Sequence, residues 1–269
     1  LIESSEASGY DAFAAGDYAL AIGNYAIAMG NSPKASGNYS VAIGSSAVAE
    51  SDNSFSIGSD TAANGANALA MGNYSEANGD SSIAIGYSSV ATGKRSFAIG
   101  NNTLADGYTT FAIGSANTAD STADADNWSL ANRAFVIGNG TDDNVSSTLD
   151  RSDAMTVLFD GTTTIAGDLN INSDMRLKAN IISLGSTLSK LLQIDGKTYT
   201  MKKDANNKKK IGLLAQDIEK VFPELVSEAN DIKSVNYQGL VPVLINALKE
   251  QDDKISRLEK LVEKLISDN

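Results

Sequence analysis

The stretch Ser82-Ile83-Ala84-Ile85-Gly86-Tyr87-Ser88-Ser89-Val90-Ala91-Thr92-Gly93-Lys94-Arg95-Ser96-Phe97-Ala98-Ile99-Gly100 contains one complete fourteen-residue unit and the start of the next. Its glycines lie seven apart, and an alanine stands two residues before each of them. Followed outward, the grid runs from Gly9 to Gly114 and fills fifteen of sixteen slots, Ser51 being the exception. The alanine column runs from Ala7 to Ala112, broken only at Ser56. A fixed period of this kind is a repeat architecture and takes precedence over local propensity.

Alternate heptads differ, so the true unit is fourteen residues. One kind reads Ser40-Val41-Ala42-Ile43-Gly44 or Thr110-Phe111-Ala112-Ile113-Gly114, with apolar residues alternating around a small one, the pattern of a short strand. The other reads Ser89-Val90-Ala91-Thr92-Gly93, with a polar residue usually before the glycine. A helix is excluded, because one glycine every two turns costs about 1 kcal/mol each relative to alanine. The expected fold is a solenoid of about eight coils, each with two short strands and two glycine turns. At about 4.8 Å per coil it would extend roughly 40 Å. Alanine at nearly every slot implies a coil too thin for larger side chains. The Ile, Phe and Val face then needs cover from identical neighbours, which predicts a homo-oligomer.

These alternating units resemble the head repeats of trimeric autotransporter adhesins over about residues 7–114. The resemblance implies a homotrimer of left-handed parallel β-rolls. Ser51 and Ser56 depart from the pattern in neighbouring coils. After Gly114 the grid is lost, and residues 115–172 are expected to form a neck and a short β stem. Its strands are Met155–Phe159, Thr162–Ala166 and Leu169–Ile171, and Trp128 reads as a core plug. Asp120, Asp124 and Asp126 lack the loop glycine and bidentate glutamate of a calcium loop, so a solvated loop is expected.

The chain has 269 residues, no cysteine and no histidine. That removes disulfides, thiol nucleophiles, Cys/His zinc sites and histidine bases, and leaves carboxylates, hydroxyls and lysine amines for any chemistry. No cofactor and no metal are expected. Residues 1–172 hold 5 Lys and Arg against 19 Asp and Glu, whereas residues 173–269 hold 16 against 14. The acidic part is no nucleic-acid binder. Lys202, Lys203 and Lys208–Lys210 read as a solvated hairpin tip rather than a basic patch. No apolar run is long enough to cross a membrane. The first residue is Leu1, which suggests a piece of a longer chain.

From Ser173 the grammar becomes mixed α/β. Strands are expected at Lys197–Lys203, Lys209–Leu213 and Ile232–Tyr237, a short helix at Ala215–Val221 ending near Pro223, and a long helix from Leu240. Proline at Pro242 is tolerated in a first turn. That helix carries a heptad, with Val241, Leu248, Ile255 and Val262 at a and Leu244, Gln251, Leu258 and Leu265 at d. Four heptads favour a coiled coil over a helix packed only on its own domain, and Gln251 is a candidate register device.

Three segments carry a second resemblance. They are Ser173-Asp174-Met175-Arg176-Leu177-Lys178-Ala179-Asn180-Ile181, then Ile211-Gly212-Leu213-Leu214-Ala215-Gln216-Asp217-Ile218-Glu219 through Phe222-Pro223-Glu224-Leu225-Val226, and Val235-Asn236-Tyr237 through Glu250. Residues 173–269 thereby resemble the intramolecular chaperone of endosialidase-type phage tailspikes and fibres, which trimerises, helps the upstream β fibre fold and then cuts itself free. The resemblance implies Ser173 as nucleophile and Lys178 as general base. A lysine amine becomes a base when desolvation or nearby cations lower its pKa from about 10.4, and Arg176 could add to such a field. Asp174 and Asn180 are candidates for orienting the dyad or for capping the local turn. Attack by Ser173 on the Asn172 carbonyl closes a five-membered ring, which favours scission before Ser173, with scission after it left open.

The expected function is a trimeric receptor-binding fibre, located on a virion tail or injection apparatus, with a self-cleaving chaperone. The alternative is a cell-surface adhesin that retains the domain. A host receptor or glycan is the expected partner, and a glycan-cleaving enzyme is disfavoured because the repeats hold no convergent carboxylate pair.

Overall fold

The computed structural model describes residues 5–141, 149–202 and 207–268. Lys203 of the lysine cluster lies outside them. The chain divides into two compact units, Leu1–Ile171 and Asn172–Asn269.

In the first unit each fourteen-residue repeat makes one coil. The Ser-x-Ala-x-Gly heptads form five-residue strands, from Phe13–Asp17 to Phe111–Ser115, and the other heptads form two-residue strands, from Glu6–Ala7 to Leu104–Ala105. The short strands line up in an eight-stranded parallel sheet, and the long strands belong to an eleven-stranded sheet. Register follows the repeat: Ile83 pairs with Phe97, Ala84 with Ala98 and Gly86 with Gly100. This is the β-solenoid expected from the period.

The second strand residue turns inward. Ala21, Ala42, Ala84, Ala91 and Ala105 are all fully buried, and the inner column holds alanine, serine and threonine almost throughout. The Ser56 exception keeps the volume small and joins a polar rung. Its hydroxyl lies 2.7 Å from Thr61 Oγ1 and 3.0 Å from the Thr61 carbonyl. Ser51 donates to the Asn64 carbonyl at 2.5 Å. The coil that breaks both columns therefore satisfies its own hydroxyls.

Glycine serves close approach more than turning. A Cβ on Gly86 would sit 1.9 Å from the Gly100 carbonyl oxygen, at φ +129, and one on Gly23 would sit equally close to Gly37. The left-handed turn residue is instead the second after each slot, such as Tyr25 at φ 58 and Asn53 at φ 57. Asparagine and aspartate side chains cap the turn amides of the preceding coil. Asn24 N donates to Asn38 Oδ1 at 3.1 Å, and Asn38 N to Asp52 Oδ1 at 2.8 Å.

The solenoid does not stop at Gly114. Arg133–Asn139 pairs in parallel with Phe111–Ser115, Phe135 beside Phe111 and Gly138 beside Gly114. The intervening loop is longer than a coil's usual connection, which shifts the period without ending the sheet. Asp153–Leu158 and Thr163–Ile165 then add antiparallel to the same sheet, while Leu169–Ile171 forms no strand. Arg133 pins the loop, donating to the Thr118 carbonyl at 2.7 Å and lying 3.4 Å from Asp153 and 3.5 Å from Asp120. Trp128 is exposed and touches the Phe159 ring, so it does not plug the core.

The second unit holds α1 (Leu188–Leu191), α2 (Ala215–Val221) and α3 (Leu240–Ser267) with two strand pairs, Lys197–Tyr199 with Lys210–Gly212 and Val226–Ala229 with Ile232–Val235; α1 packs on α3, and α2 on the second pair. The strands are shorter than expected, and Val226–Ala229 and α1 were not foreseen. Ile218, Phe222 and Val243 are the buried centre, ringed by Leu191, Ile194, Leu213 and Leu225. No described helix is long and apolar enough to cross a membrane.

The inner column yields a prediction. Ala84→Leu should lower the melting temperature of the solenoid, at a cost of about 1–3 kcal/mol for overpacking, and Gly86→Ala should do more damage because backbone blocks its Cβ. Calorimetry of the purified chain checks the order.

Candidate self-cleavage site and assembly helix

Ser173 opens a segment that regular structure barely touches. Asp174 caps the 3-10 turn Met175–Leu177 by accepting from Arg176 N at 2.8 Å. Arg176 returns its guanidinium to the same carboxylate, Nε at 3.0 Å and Nη2 at 2.6 Å. That pair holds the Asp174 carboxyl below the usual carboxylate range, first through the Arg176 side chain and then through its amide. It also compensates the Arg176 charge, so the field available to Lys178 is weaker than an isolated guanidinium would supply.

The turn folds Lys178 back onto Ser173, and Nζ lies 2.7 Å from Oγ. The same contact with its proton reversed, hydroxyl donating to neutral amine, is the one a general base needs. Asn180 sits beyond the turn in the left-handed region, at φ 54, and Asn172 immediately precedes Ser173. Residues 171–180 are all exposed. Desolvation is one of the two routes by which a lysine becomes a base. The single chain thus holds a formed but solvated dyad.

α3 carries the second candidate site. Its buried residues are Leu240, Val243 and Ala247, all in its first turns. Val241, Leu244, Leu248, Ile255, Leu258, Val262 and Leu265 are each about half or more exposed, and Gln251 is exposed among them. The heptad seam therefore faces away from the domain's own core.

Sequence reasoning missed Glu250. Its carboxylate accepts from Ser186 Oγ at 2.6 Å, from Leu188 N at 3.1 Å and from the Thr187 amide. These donors, the Ser186 hydroxyl first, hold it below the usual glutamate range. It closes the third of the resembling segments, but its neighbours do not reveal its role, since its partners lie over sixty positions away.

Among the described residues no group of acidic side chains is arranged to hold a metal ion. Asp126 faces Lys94 at 3.1 Å, and Asp124 accepts from the amides of Asp126 and Asn127.

Comparison with known families matches both units. Overlapping copies of the YadA head domain repeat cover residues 5–117, and the family described as the chaperone of endosialidase matches residues 173–227. The chain carries YadA-type head repeats and an endosialidase-type chaperone domain. Among curated proteins it is similar to the long tail fiber protein Gp37 of Salmonella phage S16, 32% identical over 108 residues. That match spans 36% of this chain and 14% of the relative. The Gp37 proteins of Enterobacteria phage M1, 32% identical over 101 residues and 40% of the relative, and of Escherichia phage AR1, 30% over 100 residues and 9% of the relative, are also similar. The chain spans less than half the length of the curated relatives it matches.

The dyad geometry sets an expectation for the chaperone domain. Ser173→Ala and Lys178→Ala should leave full-length chains that still assemble, and Lys178→Arg should fail as well, because a guanidinium does not give up its proton. Denaturing electrophoresis after refolding checks all three.

Proposed function

We propose that this chain is a trimeric segment of a phage tail fibre whose chaperone domain assembles three copies, guides the head repeats into register and then cuts itself free. The observation that carries the reading is the pairing of an outward, exposed heptad seam on α3 with a ready-made Ser173–Lys178 contact in the same domain. The tail fibre relatives favour a virion tail over the cell-surface alternative.

The long-strand sheet gives a reason for trimerisation. Its outward positions hold Phe55, Leu69, Ile83 and Phe97 in one column and Ile57, Met71, Ile85 and Ile99 in the next. The short-strand sheet instead presents Glu6, Lys34 and Glu76 among apolar residues. The apolar sheet is the face that three copies would bury against one another.

Assembly needs help because the repeats resemble each other. A strand shifted by a whole coil meets almost the same partners, so register, above all between copies, is weakly specified. A preformed trimer of α3 helices raises the local concentration of the three chains and starts them at one end.

For the cut, Ser173 Oγ attacks the Asn172 carbonyl carbon while Lys178 Nζ takes the hydroxyl proton. The ammonium returns that proton to the Ser173 amide nitrogen as the C–N bond breaks, leaving an ester between Asn172 and Ser173 Oγ. Water hydrolyses the ester to an Asn172 carboxylate and a chaperone beginning at Ser173 with a free amine. Burial of the exposed dyad by a neighbouring copy would switch the amine on, so cleavage follows assembly. The host-side receptor is a surface glycan or protein contacted by the fibre.

Ile255→Asp and Leu258→Asp should each block assembly, since a charge in a buried seam costs several kcal/mol, and each should leave the chain uncut. Sedimentation together with intact mass tests the reading. A monomeric seam variant that cleaves normally would sink it.

A further inference from the structure

A strap joins the dyad to the folded part of the chaperone domain. Residues Gly185 to Thr187 run into α1 without regular structure and lie along α3. Thr187, 2% exposed, donates its hydroxyl to the Val243 carbonyl at 2.9 Å. Asn246 Nδ2 donates to the Gly185 carbonyl at 3.2 Å. Glu250 then gathers the Ser186 hydroxyl and two successive main-chain amides. Thr187, the N-cap residue of α1, makes no side-chain cap of its own. The Thr187 and Leu188 amides at the start of α1 are satisfied from α3 instead.

Val243, Asn246 and Glu250 share one helical face by their spacing of three and four. In the heptad they fall at c and f, whereas the seam uses a and d. The strap thus occupies the back of α3 and leaves the seam clear, so both can be engaged together. Six residues separate Lys178 from Gly185, which limits the tether to roughly 25 Å. Without Glu250 the strap keeps only the Asn246–Gly185 and Thr187–Val243 hydrogen bonds on α3, and Ser186 and the amides of Thr187 and Leu188 lose their shared acceptor.

We propose that Glu250 is a positioning residue for self-cleavage, its carboxylate latching the strap that carries Ser173 and Lys178 to the back of the seam helix. Seam formation and placement of the dyad against a neighbouring copy then act through one rigid element. This rests on the self-cleavage reading given under Proposed function.

The test uses the full chain, with assembly read by sedimentation and cleavage by intact mass over time. Glu250→Ala loses three hydrogen bonds and should melt somewhat lower, but well below its midpoint it should still form a trimer and cut between about three- and tenfold more slowly, because the strap is held less firmly and loses direction. Glu250→Gln keeps an oxygen for the two amides and an amide that Ser186 can accept, so it should restore the rate to within about twofold. Comparing the rates well below every midpoint, where each variant is fully trimeric by sedimentation, separates positioning from mere stability. Should Glu250→Ala fail to assemble, Ser186→Ala removes one donor without touching α3 and should slow the cut in an intact trimer; an unchanged rate there overturns the latch. A Glu250→Ala trimer that cuts as fast as wild type overturns the latch alone. A wild-type trimer that never cuts overturns the self-cleavage reading, and the latch with it.

Discussion

Adjacent coils of the solenoid stack so closely that one coil's carbonyl occupies the place where a Cβ on the next would stand, and between the two sheets there is room for little more than a methyl or a hydroxyl. Gly86 against Gly100 shows the first limit, and the fully buried Ala84 and Ala91 show the second. A core of alanines buries little apolar area per residue, and the Phe, Ile, Leu and Met side chains of the repeat strands point outward. Phe55, Ile83 and Phe97 can gain burial only against something else. The proposed trimer would answer a need that starts inside the coil.

The same constraint explains why a helper is attached. A core of near-identical rungs specifies the coil but not which rung meets which. The rungs that differ act as markers: the hydroxyl coil at Ser51, Ser54, Ser56 and Thr61, and the long loop before Arg133 that Asp120 and Asp153 pin in place. A chaperone domain with an open seam on α3 would supply what those markers lack, a common starting point for three chains. A dyad left in water until copies meet would then couple release to completion.

The period made the solenoid legible from sequence, down to the alternation of long and short strands. Periodicity could not follow the sheet past Gly114, because an insertion moved Phe135-Val136-Ile137-Gly138 off the grid although those residues carry the unit's own signature. It also credited the glycines with turning, where the left-handed residues are Tyr25, Asn53 and their equivalents, and glycine is needed for contact between coils. Ser173 and Lys178 were readable only through the motif around them, since a serine and a lysine five apart occur everywhere. The two carboxylates that organise the segment differ in this respect. Asp174 caps its own neighbour, a local act that sequence can suggest, whereas Glu250 serves amides far away in the chain, a role its neighbours do not reveal.

The most direct measurement is native mass spectrometry of the unfolded chain as it refolds. The account predicts full-length trimer first, then a trimer of residues 1–172 together with released chaperone beginning at Ser173. Cleaved chains appearing before any trimer, or a stable folded monomer, would contradict it.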